Sequence, residues 1–258
     1  MKKVFLLLAS CVLVAGLALS AVSCDPKVDP DDPGGLIDDP DGPDKPDTPT
    51  DNTPASLKGS NYYVIAMDGI TFDKIADKVA LDLRPDDVTK FLYVWNGYAG
   101  ATADGLNFYG NTEGYTSLEV TEGAGWSGLG YFIQKATPGF EKLNSIGSGY
   151  YLHFAYKGAA NVTHCLYPAW GGKEYRMSVG GGAKFVDNGA EYDFLKPISN
   201  NGSFVANEWN EYEIAIPDTG LDYTAAPAED GGQNVFCALS GGVAGTKLQF
   251  DAVFIYKK

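Results

Sequence analysis

Gly245-Thr246-Lys247-Leu248-Gln249-Phe250-Asp251-Ala252-Val253-Phe254-Ile255-Tyr256 is the stretch whose reading decides the fold. Successive side chains of a strand point to opposite faces, so alternation sorts this run into two rows. Leu248, Phe250, Ala252, Phe254 and Tyr256 take one face, and Gln249, Asp251, Val253 and Ile255 take the other. Asp251 is then a carboxylate among apolar neighbours and needs a partner if buried. A second stretch, Asn207-Glu208-Trp209-Asn210-Glu211-Tyr212-Glu213-Ile214-Ala215-Ile216-Pro217, puts large side chains on both faces as well. Trp209 is assigned to the core on this pattern. Pro217 ends the run, because proline cannot donate to a ladder.

Working outward, short runs of β-branched, aromatic and alternating residues predict strands near 61–67, 78–83, 90–95, 117–120, 128–134, 150–156, 161–167, 174–179, 208–216, 234–239 and 247–256. Turn signals separate them: Asp68-Gly69, Gly147-Ser148-Gly149, Gly180-Gly181-Gly182 and Gly241-Gly242. No segment carries a long 3.6-residue stripe, and Phe140–Ile146 has room for one short helical turn. Many short strands at this spacing predict an all-β sandwich or jelly roll over residues 57–258.

The N-terminal fifth reads differently. Met1-Lys2-Lys3 begins a basic n-region and Val4–Leu19 an apolar h-region, closing at Ala21-Val22-Ser23-Cys24. Residues 1–23 therefore read as a signal peptide, too short for a comfortable membrane span. Small residues before a cysteine suit lipoprotein signal peptidase, although Ala21 stands where a leucine is usual. Cleavage there leaves Cys24 as the lipidated first residue. Residues 24–56 hold ten aspartates and eight of the 14 prolines, with almost no apolar side chains. Such a segment cannot bury enough surface to offset its ordering entropy, and reads as a disordered acidic spacer. The chain carries a formal charge of −14, spread over spacer and domain alike. That balance repels phosphate backbones and excludes nucleic acid as an expected partner. It disfavours acidic polysaccharides for the same reason. Cys11 leaves with the leader, so Cys165 and Cys237 remain. Export permits a bridge between them, but both lie in apolar strand-like runs, where buried free thiols are the plainer reading.

The 207–217 and 245–256 stretches resemble the "W-x-x-y-x-I-x-I-P" strand and the closing "G-x-x-L-x-h-D-x-h-x-h" strand (h apolar) of galactose-binding-like β-jelly rolls. That is the fold of many carbohydrate-binding modules. Gly125-Trp126-Ser127-Gly128-Leu129-Gly130-Tyr131 resembles a strand entry of the same modules. The resemblance implies a glycan ligand and a structural calcium near Asp251, helped by Asp68, Asp73 and backbone carbonyls. Calcium takes six or more oxygens, so the alternative is an Asp251 bonded only to backbone amides. The acidic residues after Cys24 resemble the surface-export signal of Bacteroidota-type lipoproteins.

Sugar rings present flat C–H faces that aromatic rings match, and planar polar groups read the hydroxyls. Trp126, Trp170 and Trp95 stand beside glycines or at strand ends, and Arg176 and Tyr175 follow Trp170 closely. These are the first candidate contacts, with Tyr98, Asn107 and Tyr109 behind them. His153 and His164 are lone strand histidines without metal-ligand spacing. Adjacent His164 and Cys165 point to opposite faces, so they cannot form a nucleophile–base pair there. No Gly-x-Ser-x-Gly elbow occurs. The expectation is a non-enzymatic lipoprotein, anchored at the outer membrane on the cell surface, that binds a neutral glycan. A partner transporter complex for glycan uptake goes with it. An adhesive protein that binds another protein, and a jelly-roll glycan hydrolase or lyase, stay open as alternatives.

Overall fold

The computed structural model describes residues 51–258 apart from 96–97, 100–101, 122–125 and 242. The leader, Cys24 and the spacer to Thr50 therefore lie outside the described residues. Asp51–Lys258 forms one compact unit. Its strands are β1 Ser60–Ala66, β2 Val79–Asp82, β3 Lys90–Trp95, β4 Tyr98–Ala99, β5 Thr102–Ala103, β6 Tyr115–Val120, β7 Trp126–Gln134 and β8 Tyr150–Lys157. They continue as β9 Thr163–Trp170, β10 Lys173–Glu174, β11 Met177–Gly180, β12 Phe185–Asp187, β13 Ala190–Tyr192, β14 Asn210–Ala215, β15 Gly232–Gly241 and β16 Lys247–Lys257. Phe140–Ser145 makes the short helical turn expected there, in 3-10 form.

Two sheets pack as a β-sandwich of jelly-roll type. The first runs β14-β8-β16-β1-β2, with β6 also along the first half of β16 and β4 and β5 against β6. The second runs β10-β9-β15-β7-β3, with β11 also on β9. All pairings in these sheets are antiparallel except β1 with β2. Between the sheets lie Tyr63, Ile65, Leu118, Leu152, Phe154, Leu248 and Phe250 from the first, and Leu129, Ile133, Leu166, Phe236 and Ala238 from the second. Removing these side chains from water, at about 1.5–3 kcal/mol each for the larger ones, is the main force closing the sandwich.

The first sheet is covered outside as well. Leu57 and Ile75, from the segment flanking β1, pack with Tyr62, Val64, Ala252, Phe254 and Tyr256. This outer layer explains why β16 is apolar in both rows. One expectation is corrected here. The alternation of β16 does not hold to its end: the register slips between Asp251 and Phe254, and Ala252 takes φ +53°. That bulge exchanges the rows, so Leu248 and Phe250 face the interior with Val253 and Ile255, while Ala252, Phe254 and Tyr256 face the outer layer. A bulge adds one residue and re-aims everything after it. β15 carries a second one, between Asn234 and Phe236.

Trp209 is also corrected. It precedes β14, is only partly buried, and meets Tyr115 edge-on at 5.1 Å. The Lys157 ammonium lies 4.8 Å from its ring. β14 ends at Ala215, and Pro217 sits in the first turn of α1 (Ile216–Thr219), where its missing N–H is harmless.

Candidate functional site

The outer face of the second sheet is left partly open among the described residues. Alternation on β7 sends Ser127, Leu129, Tyr131 and Ile133 inward and Trp126, Gly128, Gly130 and Phe132 outward. The two glycines leave a lane without side chains. Trp95, paired with Gly128 across β3 and β7, fills it. A Cβ at Gly128 would come within 3.1 Å of Trp95 Cε3, and one at Gly130 within 2.8 Å of Cη2. The glycines therefore set where the indole rests. Tyr93, 55% exposed, meets Trp95 edge-on at 5.8 Å. On the far side of the indole, Tyr167, Cys165, Ala169, Cys237 and Leu239 form the floor, with Phe185 from the β12–β13 hairpin.

Two depressions meet at Trp95. One, of about 560 Å³, is lined by Phe91, Tyr93, Trp95, Phe132, Glu229 and Asn234. The other, of about 190 Å³, is lined by Trp95, Tyr167, Glu174, Glu229, Gln233 and Asn234 among others. Together they make a shallow groove whose size suits a small-molecule ligand. Gln233 Oε1 accepts from the Gly171 and Ala228 amides, fixing the rim where two loops meet. Arg176 lies over Tyr167 at 5.0 Å and Phe194 at 5.6 Å, held by a 2.7 Å bond from Nε to Glu174. Its charge is matched by that carboxylate.

The candidates read from the sequence divide. Trp95 and Trp126 share this face, both partly buried against the same floor. Arg176 borders it. Trp170 does not belong to it: 1% exposed, it is the last residue of β9 and points inward. Its ring stacks on Tyr223 at 5.3 Å and its Nε1 donates to Ala225 O. The flanking Pro168-Ala169 and Gly171-Gly172 gave it the look of a loop residue. Tyr175 packs against the interior core rather than the groove. Asn107 is buried under the opposite sheet, where its Oδ1 caps the Asn111 amide. Tyr109 is there too, bonded to Ser56 Oγ. Tyr98 lies in β4, and its side chain falls outside the described residues. Tyr93, Tyr167, Glu229 and Asn234 were missed. Tyr93 had a signal, since it is two residues before Trp95 and so on the same face.

Asp251 is 4% exposed and accepts from the Phe108 amide at 3.0 Å. Burial pushes its pKa up to about 6, against the lowering by the Phe108 and Ala252 amides, and the nearby Asp68 carboxylate adds to the rise. Asp68 Oδ2 is buried without a partner. Asp68, Glu113 and Asp251 line one cavity of about 240 Å³, together with Arg84. An orphaned carboxylate oxygen lining the same cavity as a second, buried carboxylate is a donor set that suits a cation. Among the described residues, no three His, Cys, Asp or Glu side chains are grouped to hold a metal. Most of calcium's oxygens would therefore have to be backbone or water. Asp73 does not line this cavity.

The remaining chemistry-bearing groups are packed. His153 is engaged at both nitrogens, with Ala252 O at 2.7 Å and Glu211 Oε1 at 2.9 Å, and stacks on Phe254. His164 is fully buried, and burial pushes its pKa down to about 4. Cys165 and Cys237 are free and buried.

No protein-family model matches the chain, and no curated protein matches it. Similar solved structures include a family 30 carbohydrate-binding module, with 10% identity over 66% of this chain and 89% of that one, at a TM-score of 0.38. A Clostridium thermocellum family 11 module, in complex with a β-1,3-1,4-mixed-linked tetrasaccharide, gives 10% identity over the same shares at 0.34. The C-terminal family 22 module of Clostridium thermocellum Xyn10B gives 13% identity over 64% and 85%, at 0.32. At these scores and identities no ligand and no residue role is transferred from them.

Proposed function

We propose that the folded unit is a non-catalytic glycan-binding module whose ligand lies in the groove across β3, β7 and β15. The observation that carries this is Trp95: a large aromatic set on a glycine lane, between two depressions, beside an exposed Tyr93. Leaving such aromatic surface open at a built position is costly unless a ligand covers it. The rim supplies planar hydrogen-bonding groups, and its charges are mixed, with Arg176 tied to Glu174. That favours a neutral sugar chain. Affinity electrophoresis of the full-length protein through a neutral polysaccharide panel tests the reading. Retardation by at least one polysaccharide, abolished by Trp95→Ala, is expected. Absence of retardation in every gel, with the protein folded, would overturn it.

The leader and Cys24 support a lipid-anchored protein of the outer membrane, displayed at the cell surface and serving glycan uptake with a transporter. Metabolic labelling with a radioactive fatty acid, lost in Cys24→Ala, tests the anchor. A calcium ion between Asp68 and Asp251 is the second part of the reading, supported by the orphaned Asp68 oxygen. If it binds, calcium raises the melting temperature of the wild type and leaves that of Asp251→Asn unchanged.

A further inference from the structure

Asn234 has an unusual position in β15. Up to Asn234 the strand is paired so that Asn234 faces Phe132; from Phe236 on, it is paired so that Phe236 faces Tyr131. Val235 is the extra residue of the bulge. Val235 and Phe236 both face the interior core. Without the extra residue, Asn234 and Phe236 would lie on one side, and a carboxamide would point between the sheets. The bulge turns it outward instead, to the junction of the two depressions, both of which it lines.

Once there, the side chain is held. A Cβ at Gly130 would collide with Asn234 Oδ1 on one side and with Trp95 Cη2 on the other. Oδ1 is buried without a hydrogen-bond partner. The other end of the amide has no protein partner among the described residues and lines the groove. Asparagine is depleted in strands, and a buried amide end without a partner opposes folding. Packing alone is served better at this position by an apolar side chain. A carboxamide fixed beside an indole, with its Nδ2 end open to the groove, offers an uncharged donor to a hydroxyl of a sugar resting on that indole.

We infer that Asn234, aimed by the bulge at Val235, is the residue that reads the hydroxyls of a neutral sugar chain at the centre of the groove. The inference rests on the glycan reading of that groove. Isothermal titration of the full-length protein with soluble β-glucan, xylan, mannan and galactan tests it, using wild type, Asn234→Leu, Asn234→Asp and Trp95→Ala. Leucine keeps the volume over Gly130, so Asn234→Leu is expected to melt no lower than wild type and to bind at least tenfold more weakly. Asn234→Asp keeps the shape, removes the donor, and is expected to weaken binding similarly. Wild-type affinity in Asn234→Leu, with binding lost in Trp95→Ala, overturns the role of Asn234 and leaves the groove standing. So does a loss of affinity accompanied by a lowered melting temperature, which marks a packing role. Full affinity in Trp95→Ala, or no binding by the wild type, overturns the groove and this inference together.

Discussion

At the scale of the residue, two tryptophans with similar sequence surroundings do opposite things. Trp95 and Trp170 each end a strand and each precede a glycine within two positions. The neighbours across the strand separate them. Trp95 faces Gly128, which leaves room for the indole on the outside; Trp170 turns inward onto Tyr223. Trp170→Ala should therefore cost about 3–5 kcal/mol of stability, the usual range for truncating a buried aromatic, and also strand Ala225 O. Chemical denaturation measures it. A variant that unfolds at the wild-type midpoint would show that Trp170 is not core. Trp95 could be placed on a groove from its sequence setting, but the same setting misplaced Trp170, because a strand's facing direction depends on its partner and not on its flanks.

At the scale of the element, the period-two pattern was legible and its interruptions were not. Most strands expected from alternation form with ends shifted by a few residues, but the one expected over 174–179 is broken at Tyr175-Arg176 into β10 and β11. The bulges at Ala252 and Val235 left no mark in the sequence; at the first, Ala252–Tyr256 is apolar in both rows and either assignment satisfies it. That is why Ala252, Phe254 and Tyr256 were grouped with Leu248 and Phe250. It is also why Asn234 escaped notice: without the bulge it reads as a strand residue like any other. Ala252 holds φ +53°, a region that a β-branched side chain resists strongly. Ala252→Val should destabilise the protein by about 1–3 kcal/mol through backbone strain, in addition to crowding at a fully buried site. Equal denaturation midpoints for the variant and wild type would rule out a rigid bulge.

At the scale of the whole molecule, Asp251 ties stability to pH. Its folded pKa of about 6 lies above the ordinary aspartate value of 3.8. Between these values the folded state holds the proton more tightly than the unfolded chain, so this group's contribution falls as pH rises from about 4 through 6. Without added calcium, Asp251→Asn should remove that slope and raise the melting temperature at pH 7 by a few degrees, at about 2–4 °C per kcal/mol for a domain of this size. Calcium at the Asp68–Asp251 cavity should reverse the wild-type trend, because the cation favours the ionised form. Melting curves at pH 5 and pH 7, with calcium and with chelator, measure both effects. An identical pH slope in the variant would remove Asp251 as its source.

The free thiols of Cys165 and Cys237 lie beneath the Trp95 groove, and burial pushes both up to about 12. Alkylation needs thiolate and access; Cys165 is sealed and Cys237, which lines the smaller depression, shows only a sliver, so capture by a maleimide reagent waits on the aromatic covering lifting. The rate of capture, followed by mass spectrometry, then works as a clock for that lifting. A saccharide seated above should slow the clock at both sulfurs together, reporting occupancy without any change to the residues that touch the sugar.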